Sequence, residues 1–438
     1  MNNKNLQSQL KEIVNKSPMG WYQVVVVAIC FILNFNDGID VLVVSFTGSD
    51  ISSEWGLSKS QLGYIFSAGL AGMTAGCLLI APLGDKIGRR NIFLISLSFI
   101  TSGMLLVYLA EAYWQLLIFR VITGLGIGGI LPNLASVASE ISNEKRRDFN
   151  VGIVQAGWPL GAILTGFITV WLVPEYGWRF CYLLAGVVSF SMLVAVYFFM
   201  PESIGFLLKK QPKNALEKIN NIMFKIGQQP IHTLPAKSIE NESGNIQRLF
   251  SPEFKTSTLM LWTAIFFGFL TLYTLMSWVP NVAKESGMPY EMATYVGTAL
   301  NLGAFTGVFV MGLSISKFGI KKVIVTFLTL GFLVMVSYGT FSLSYLAMFI
   351  LTFFIGFLVQ GGFNTFFPTA TRVYPEEIRS TGVGLAMGIG RFGAIIGPAI
   401  FGILTDSGYS VASRFIIFSI PLLIAAFFAY NVPSKNLK

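Results

Sequence analysis

Charge is what this chain has least of. Only 12% of its 438 residues are Asp, Glu, Lys or Arg, against roughly 25% in a soluble domain. A chain so poor in charge cannot cover a water-exposed globule. With 54% hydrophobic residues and a mean hydropathy of +0.67 it reads as an integral membrane protein. Histidine is almost absent. The single one, His232, lies in a polar stretch without a His or Cys neighbour, which points to a surface side chain and leaves no metal-ligand set. The three cysteines, Cys30, Cys77 and Cys181, all fall in apolar runs, so they read as small buried hydrophobes and not as a disulfide or metal site. No Ser/His/Asp grouping exists, which makes an enzyme the weakest reading, and no cofactor is expected. Residues 1–19 carry Lys4, Lys11 and Lys16 but no small-residue cleavage site; they read as a retained cytoplasmic tail and not a signal peptide.

What is present is a series of apolar runs, each about the length that crosses a bilayer core. Twelve are counted: about 21–46, 62–83, 92–110, 114–138, 149–173, 180–200, 257–280, 291–315, 322–341, 344–370, 380–404 and 412–431. The polar stretch 201–256 divides them six and six. This gives an N-terminal half (1–200), a central cytoplasmic loop (201–256) and a C-terminal half (257–438). The net charge of +9 is unevenly spread, and its distribution, not its sum, carries the information; no nucleic-acid partner is expected. With the N-terminus inside, 24 of the 30 Lys and Arg residues fall on the cytoplasmic side, and only Lys59, Arg179, Lys284 and Arg414 fall outside. Both termini are therefore expected in the cytoplasm. The halves repeat: Ala81–Arg90 aligns with Gly312–Lys321, and Gly161-Ala162 with Gly393-Ala394. Parallel six-helix halves around a central cavity are a transporter architecture.

The first span contains two carboxylates, Asp37 and Asp40, at i, i+3 on one helical stripe, with Asn34 a turn earlier. An ionised carboxylate at that depth costs about 2.5–3.5 kcal/mol on insertion scales. Two so close resist double ionisation and titrate as a unit, which is a property a proton carrier needs. The bland alternative is a static cluster neutralised by an arginine. Arg391, in the eleventh span between Gly388, Gly390 and Gly393, needs an anion, and its planar fork suits a carboxylate. That anion is either a substrate or one of the first-span aspartates. Arg120, in the fourth span, is the remaining interior cation; a plain bundle-stabilising ion pair is one reading of it. Asp37, Asp40, Arg120 and Arg391 sum to zero charge.

Several of these motifs are similar to those of the major facilitator superfamily: Gly84-Asp85-Lys86-Ile87-Gly88-Arg89-Arg90 between spans two and three, Arg120-x3-Gly124-x-Gly126-x-Gly128, and Pro201-Glu202-Ser203. Asp37-Gly38-x-Asp40 together with Gly390–Ile395 resembles its aromatic acid:proton symporter branch. The resemblance implies an all-α fold of twelve transmembrane helices in two pseudo-symmetric halves. It also implies functional roles for Asp37 and Asp40, importance for Arg391 and Arg379, and a conformational or proton-relay role for Arg120. Asp85, Gly88, Arg89 and Arg90 are implied to form a latch of the outward-facing state. The motif begins with Ala81 where glycine is usual, and its second copy has Ser316 in place of Asp85, so the gate is expected to be asymmetric. Glu140, Glu144 and Lys145–Arg147 are expected to pair with Glu376, Glu377 and Arg379 across the cytoplasmic side when it closes, a solvated charged loop being the alternative for most of them; Glu140 and Arg379 are the preferred gate residues.

The resulting expectation is proton-coupled uptake of a small organic anion, an aromatic carboxylate by the branch resemblance. Protons and the lipid bilayer are the other partners, the location is a bacterial inner membrane, and the working unit is a monomer. Substrate contacts are expected from Asp37, Asp40, Arg391, Gln155, Trp158, Asn301, Gln360 and Asn364, with Tyr64, Tyr273 and Trp278 as further interior aromatics. Rival readings are an importer of a sugar or non-aromatic anion, since Pro-Glu-Ser is shared with sugar porters, and, further off, a drug exporter or a non-transporting sensor.

Overall fold

In hydrocarbon every main-chain N–H and C=O must be satisfied within its own segment, so apolar runs of this length fold as helices. The structure is a computed structural model that describes residues 17–234, 246–341 and 343–433, the side chains of Glu376, Glu377 and Ser380 excepted; the lysines of the N-terminal tail lie outside the described residues. Among these residues there are no strands, and twelve helices are long and apolar enough to cross a membrane. They are α1 (Trp21–Trp55), α2 (Lys59–Ile87), α3 (Arg89–Tyr108), α4 (Tyr113–Ile141), α5 (Arg147–Tyr176), α6 (Trp178–Phe199), α7 (Lys255–Glu285), α8 (Tyr290–Phe318), α9 (Ile320–Thr340), α10 (Tyr345–Val373), α11 (Glu376–Asp406) and α12 (Val411–Asn431). Each expected run matches one of them, none overrunning its helix by more than two residues. Several helices outrun the apolar core, α1 most of all, because helical hydrogen bonding continues beyond the hydrocarbon. Cys30 and Cys181 are buried and Cys77 half-buried, all three free, and His232 is exposed.

The central segment is less plain than its composition suggests. Helix Ala215–Lys225 is amphipathic: it buries Ala215, Ile219, Ile222 and Met223 while Glu217, Lys218 and Lys225 stay exposed. Spacings of three and four residues put those apolar side chains on one face.

The repeat extends to backbone detail. Gly88 and Gly319 precede α3 and α9 with φ of +99° and +83°, a region a side chain enters only with strain. Two residues on, Arg90 Nη2 donates to the Tyr197 carbonyl at 2.6 Å and Lys321 Nζ to the Val432 carbonyl at 3.0 Å. At the opposite membrane face Glu54 accepts from Arg179 at 2.5 Å, and Glu285 accepts from Arg414 at 2.7 and 3.2 Å. Each pair ties the end of the first helix of a half to the start of its last.

The halves seal against each other at that same face, away from the lysine-rich loops. Ser45 on α1 donates to the Met276 and Ser277 carbonyls at 2.7 and 2.9 Å, and Asn281 returns a bond to the Ser45 carbonyl. Asp406, at the end of α11, accepts from the Lys59 and Ser60 amides at 3.0 and 2.7 Å and so caps the first turn of α2. Its repeat counterpart, Glu175, is exposed and caps nothing among the described residues.

The two repeat-related arginines should differ in worth. Arg179 is solvent-accessible, whereas the Arg414 side chain is 1% exposed and also donates to Thr405 at 2.7 Å. In detergent unfolding, Arg179→Ala should cost at most about 1 kcal/mol, as exposed ion pairs do. Arg414→Ala should cost about 2–3 kcal/mol, the range for a lost charge-assisted hydrogen bond.

Candidate functional site

Asp37 and Asp40 sit near the midpoint of α1, and both are buried. Gly38 between them allows α1 to lie directly on α5: a Cβ there would fall 2.1 Å from the Trp158 carbonyl oxygen. Asn34 anchors the same contact, donating to the Val154 carbonyl at 2.8 Å. The stripe is therefore held rigidly against the neighbouring helix.

The two carboxylates have separate partners. Asp40 Oδ1 accepts from Arg120 Nη1 at 2.9 Å, with both side chains under 5% exposed. Half of the bland alternative thus holds, for Asp40 alone. Asp37 is different. Neither of its oxygens has a hydrogen-bond partner among the described residues. The Trp158 indole lies beside it, and Asp40 and Arg391 are the charged groups that act on it. Arg391, near the midpoint of α11, is half-buried. Its guanidinium lies 5.9 Å from the centre of the Phe269 ring and makes no hydrogen bond or ion pair among the described residues. Phe269 in turn stacks on Tyr273 at 5.7 Å. Among the described residues, the middle of the helical bundle thus holds one closed ion pair, one open carboxyl and one open guanidinium.

Two cavities flank this cluster. One of about 20 Å³ is lined by Asp40, Arg120, Met73, Tyr273 and Ser277, room for about one water molecule. The other, about 540 Å³, lies between α5, α8 and α10 on the side of the lysine-rich loops. Gln155, Trp158, Gln360 and Asn364 line it together with Phe305, Phe309 and Phe367. The Gln360 Oε1 is buried without a partner. An apolar, aromatic wall carrying a few amides is the ordinary make-up of a small-molecule site. Trp158 belongs to both regions, lining this cavity and standing next to Asp37.

Other expected residues stand elsewhere. Asn301 is fully buried, bonds back to the Gly297 carbonyl at 2.9 Å, and lines neither cavity. Trp278 is packing: its indole donates to the Pro398 carbonyl at 3.0 Å and meets Phe66 edge-on. Tyr64, on α2, is 43% exposed and lines neither cavity. Sequence reasoning passed over Phe269, which carries no polar signal, and Asp406, which sat at the edge of a predicted span.

Of the residues expected to gate, Gly88, Arg89, Arg90 and Glu140 meet in one network at the lysine-rich face. Arg89 pairs with Glu140, and Ser203 Oγ donates to Glu140 at 2.5 Å. Glu202 accepts from the Arg89, Ser203 and Arg90 amides at 2.8, 2.9 and 3.3 Å. Burial pushes the Glu202 carboxyl above its ordinary range, and those three amides work against the shift. Gly88 lies against this carboxylate, where a Cβ would meet Oε2 at 2.1 Å. Asp85 is exposed and has no ion pair among the described residues. The two preferred gate residues stand apart: Glu140 is engaged by Arg89 and Ser203, and Arg379 is exposed with its Nε donating to the Tyr374 carbonyl at 3.3 Å. The side chains of Glu376 and Glu377 lie outside the described residues.

Two six-helix bundles, sealed at one face and enclosing charged groups and an aromatic cavity at mid-depth, define a secondary transporter. Residues 27–366 and 261–438 match the model of the Major Facilitator Superfamily, and the chain belongs to that superfamily. It is 32% identical to the 4-hydroxybenzoate transporter PcaK of Acinetobacter baylyi, covering 94% of this chain and 92% of that one. It is 30% identical to a gallate transporter of Pseudomonas putida, covering 95% and 93%. A solved structure of the xylose transporter XylE from Escherichia coli, in a partially occluded inward-open conformation, superposes with a TM-score of 0.76. The alignment covers 96% of this chain and 100% of that one at 16% identity, a likeness of fold alone. The chain is a transporter and not an enzyme.

The closed pair admits a direct test. Arg120→Met leaves Asp40 buried and unpaired and should cost about 3–5 kcal/mol, whereas replacing both partners with apolar residues should recover most of that loss. Unfolding of Arg120→Met and of Asp40→Leu/Arg120→Met in detergent reads the difference.

Proposed function

We propose that this transporter carries a small aromatic carboxylate into the cell together with a proton, Asp37 taking the proton and Arg391 the carboxylate. The observation that carries the reading is the pairing pattern at mid-membrane. Asp40 and Arg120 neutralise each other, while Asp37 and Arg391 keep free valence within electrostatic reach. The four groups sum to zero. An arriving anion takes the cluster to −1, and a proton on Asp37 returns it to zero. A low-dielectric interior favours the neutral total, so anion and proton are expected to load and leave together. The names of the relatives, transporters of 4-hydroxybenzoate and gallate, support an aromatic ring as cargo. The cavity fits one: Phe305, Phe309 and Phe367 offer ring faces, and Gln155, Gln360 and Asn364 offer donors for ring hydroxyls.

Orientation follows from the uneven Lys and Arg distribution, which puts the lysine-rich face in the cytoplasm of a bacterial inner membrane. The sealed face is then periplasmic and the 540 Å³ cavity lies on the inner side, so the state described is inward-facing. To turn outward the halves must break the Ser45, Asn281 and Asp406 contacts, and the gate residues Asp85, Glu140 and Arg379 then come to bear on the inner side. One chain carries both halves and the whole site, which makes a monomer sufficient.

The test is uptake of labelled 4-hydroxybenzoate or gallate into proteoliposomes with and without an inward proton gradient. Gradient-driven accumulation is expected in the natural protein and its loss in Asp37→Asn. Arg391→Lys keeps the charge but loses the planar fork, and should raise the half-saturating concentration about tenfold. Accumulation by Asp37→Asn equal to that of the natural protein rejects the proton role. Unchanged affinity in Arg391→Ala rejects the anchor.

A further inference from the structure

A second polar cavity lies far from the transport site, at the lysine-rich face of the first half. About 260 Å³ is enclosed by the start of α1 (Tyr22), the start of α3 (Arg90, Asn91), the end of α6 with the residues after it (Tyr197–Glu202), and helix Ala215–Lys225. Three cations face it: Arg90, Lys218 and Lys225. Its one carboxylate, Glu202, already accepts three main-chain amides through Oε1. Arg90 spends one donor on the Tyr197 carbonyl at 2.6 Å, which leaves the rest of its fork. Lys225 stands 4.7 Å from the centre of the Tyr22 ring and Lys218 is exposed; neither ammonium has an ion-pair partner among the described residues. The cavity therefore offers an excess of positive charge that the protein itself does not neutralise.

Its rim is aromatic. Tyr197, Phe198 and Phe199 end α6 at 57%, 69% and 57% exposure, and Trp21 beside Tyr22 is 81% exposed. In a membrane-spanning chain such side chains mark the boundary between acyl chains and headgroups. A cationic cavity opening at that boundary matches a lipid with an anionic headgroup. Among the described residues the second half has no equivalent. Lys321 repeats Arg90 and lies over the Tyr430 ring at 5.8 Å, but no counterpart of helix Ala215–Lys225 covers it among the described residues.

We propose that this cavity binds the phosphodiester headgroup of an anionic phospholipid from the adjoining leaflet. Arg90, Lys218 and Lys225 hold the phosphate, and the acyl chains run along Phe198 and Phe199. The lipid thereby clamps helix Ala215–Lys225 onto the ends of α1, α3 and α6.

The test follows thermal unfolding of the detergent-purified full chain during titration with phosphatidylglycerol, phosphatidylcholine or inorganic phosphate. Phosphatidylglycerol is expected to raise the melting temperature by a saturating few degrees, while phosphatidylcholine and inorganic phosphate leave it unchanged. Lys218→Glu/Lys225→Glu changes two exposed side chains and should melt like the natural protein without lipid, yet lose the lipid response. Lys255→Glu/Lys322→Glu, with the same charge change away from the cavity, should keep it. The proposal is overturned if phosphatidylglycerol gives no shift, if both double variants respond alike, or if inorganic phosphate reproduces the full shift, which would mark a site for soluble anions.

Discussion

The buried Asp40–Arg120 contact sets the terms for everything else at the centre of this transporter. Ionised groups at mid-membrane are tolerated when paired and are costly when not. By closing on Arg120 at 2.9 Å, Asp40 removes itself and the α4 arginine from the electrostatic account. Asp37 and Arg391 are left on opposite halves of the molecule, each without a partner of its own. Had Asp37 closed on Arg391, the site would be a static four-charge cluster with nothing to offer a ligand.

The surrounding architecture serves that separation. Gly38 and Asn34 hold α1 on α5, so Asp37 is fixed relative to Trp158 and to the aromatic cavity beyond it. Phe269 and Tyr273 form a stack on α7 that ends under the Arg391 guanidinium. The seal between halves is built of directional contacts: the Ser45 hydroxyl on two carbonyls, and the Asp406 carboxylate on the amides at the start of α2. Contacts of this kind are lost over small displacements, which suits the outward turn proposed for the two halves. The Arg89–Glu140–Ser203 and Glu202 network, by contrast, joins α3 and α4 to the segment that follows α6 and makes no hydrogen bond or ion pair with the second half among the described residues.

Much of this was legible in the residues. Spans announce themselves because a bilayer demands about 20 apolar residues, and Asp37, Asp40, Arg120 and Arg391 stand out because charge is so scarce around them. Which carboxylate meets which arginine was not legible. Spacing puts Asp37 and Asp40 on one stripe, but the rotation of α1 against α4 and α11 decides the pairing, and that is a matter of packing. Asn301 and Trp278 are packed between helices, away from both cavities, which composition alone does not reveal. The contact of Glu140 with Arg89 was not legible either, because it depends on how α3 packs against α4. Two features were readable and overlooked. Helix Ala215–Lys225 has helical spacing of Ala215, Ile219, Ile222 and Met223 in an otherwise polar stretch, and Glu54 aligns with Glu285 in the repeat that relates Arg90 to Lys321.

The measurement that bears most directly on the central claim is proton uptake on ligand binding. Detergent-solubilised protein at neutral pH in weak buffer, with a pH-indicating dye, is mixed with 4-hydroxybenzoate or whichever aromatic acid it accumulates. Charge balance around Asp37 predicts uptake of about one proton per anion bound, and none in Asp37→Asn at concentrations where that variant still binds the acid. Binding without proton uptake in the natural protein, or equal uptake by Asp37→Asn, would contradict the account.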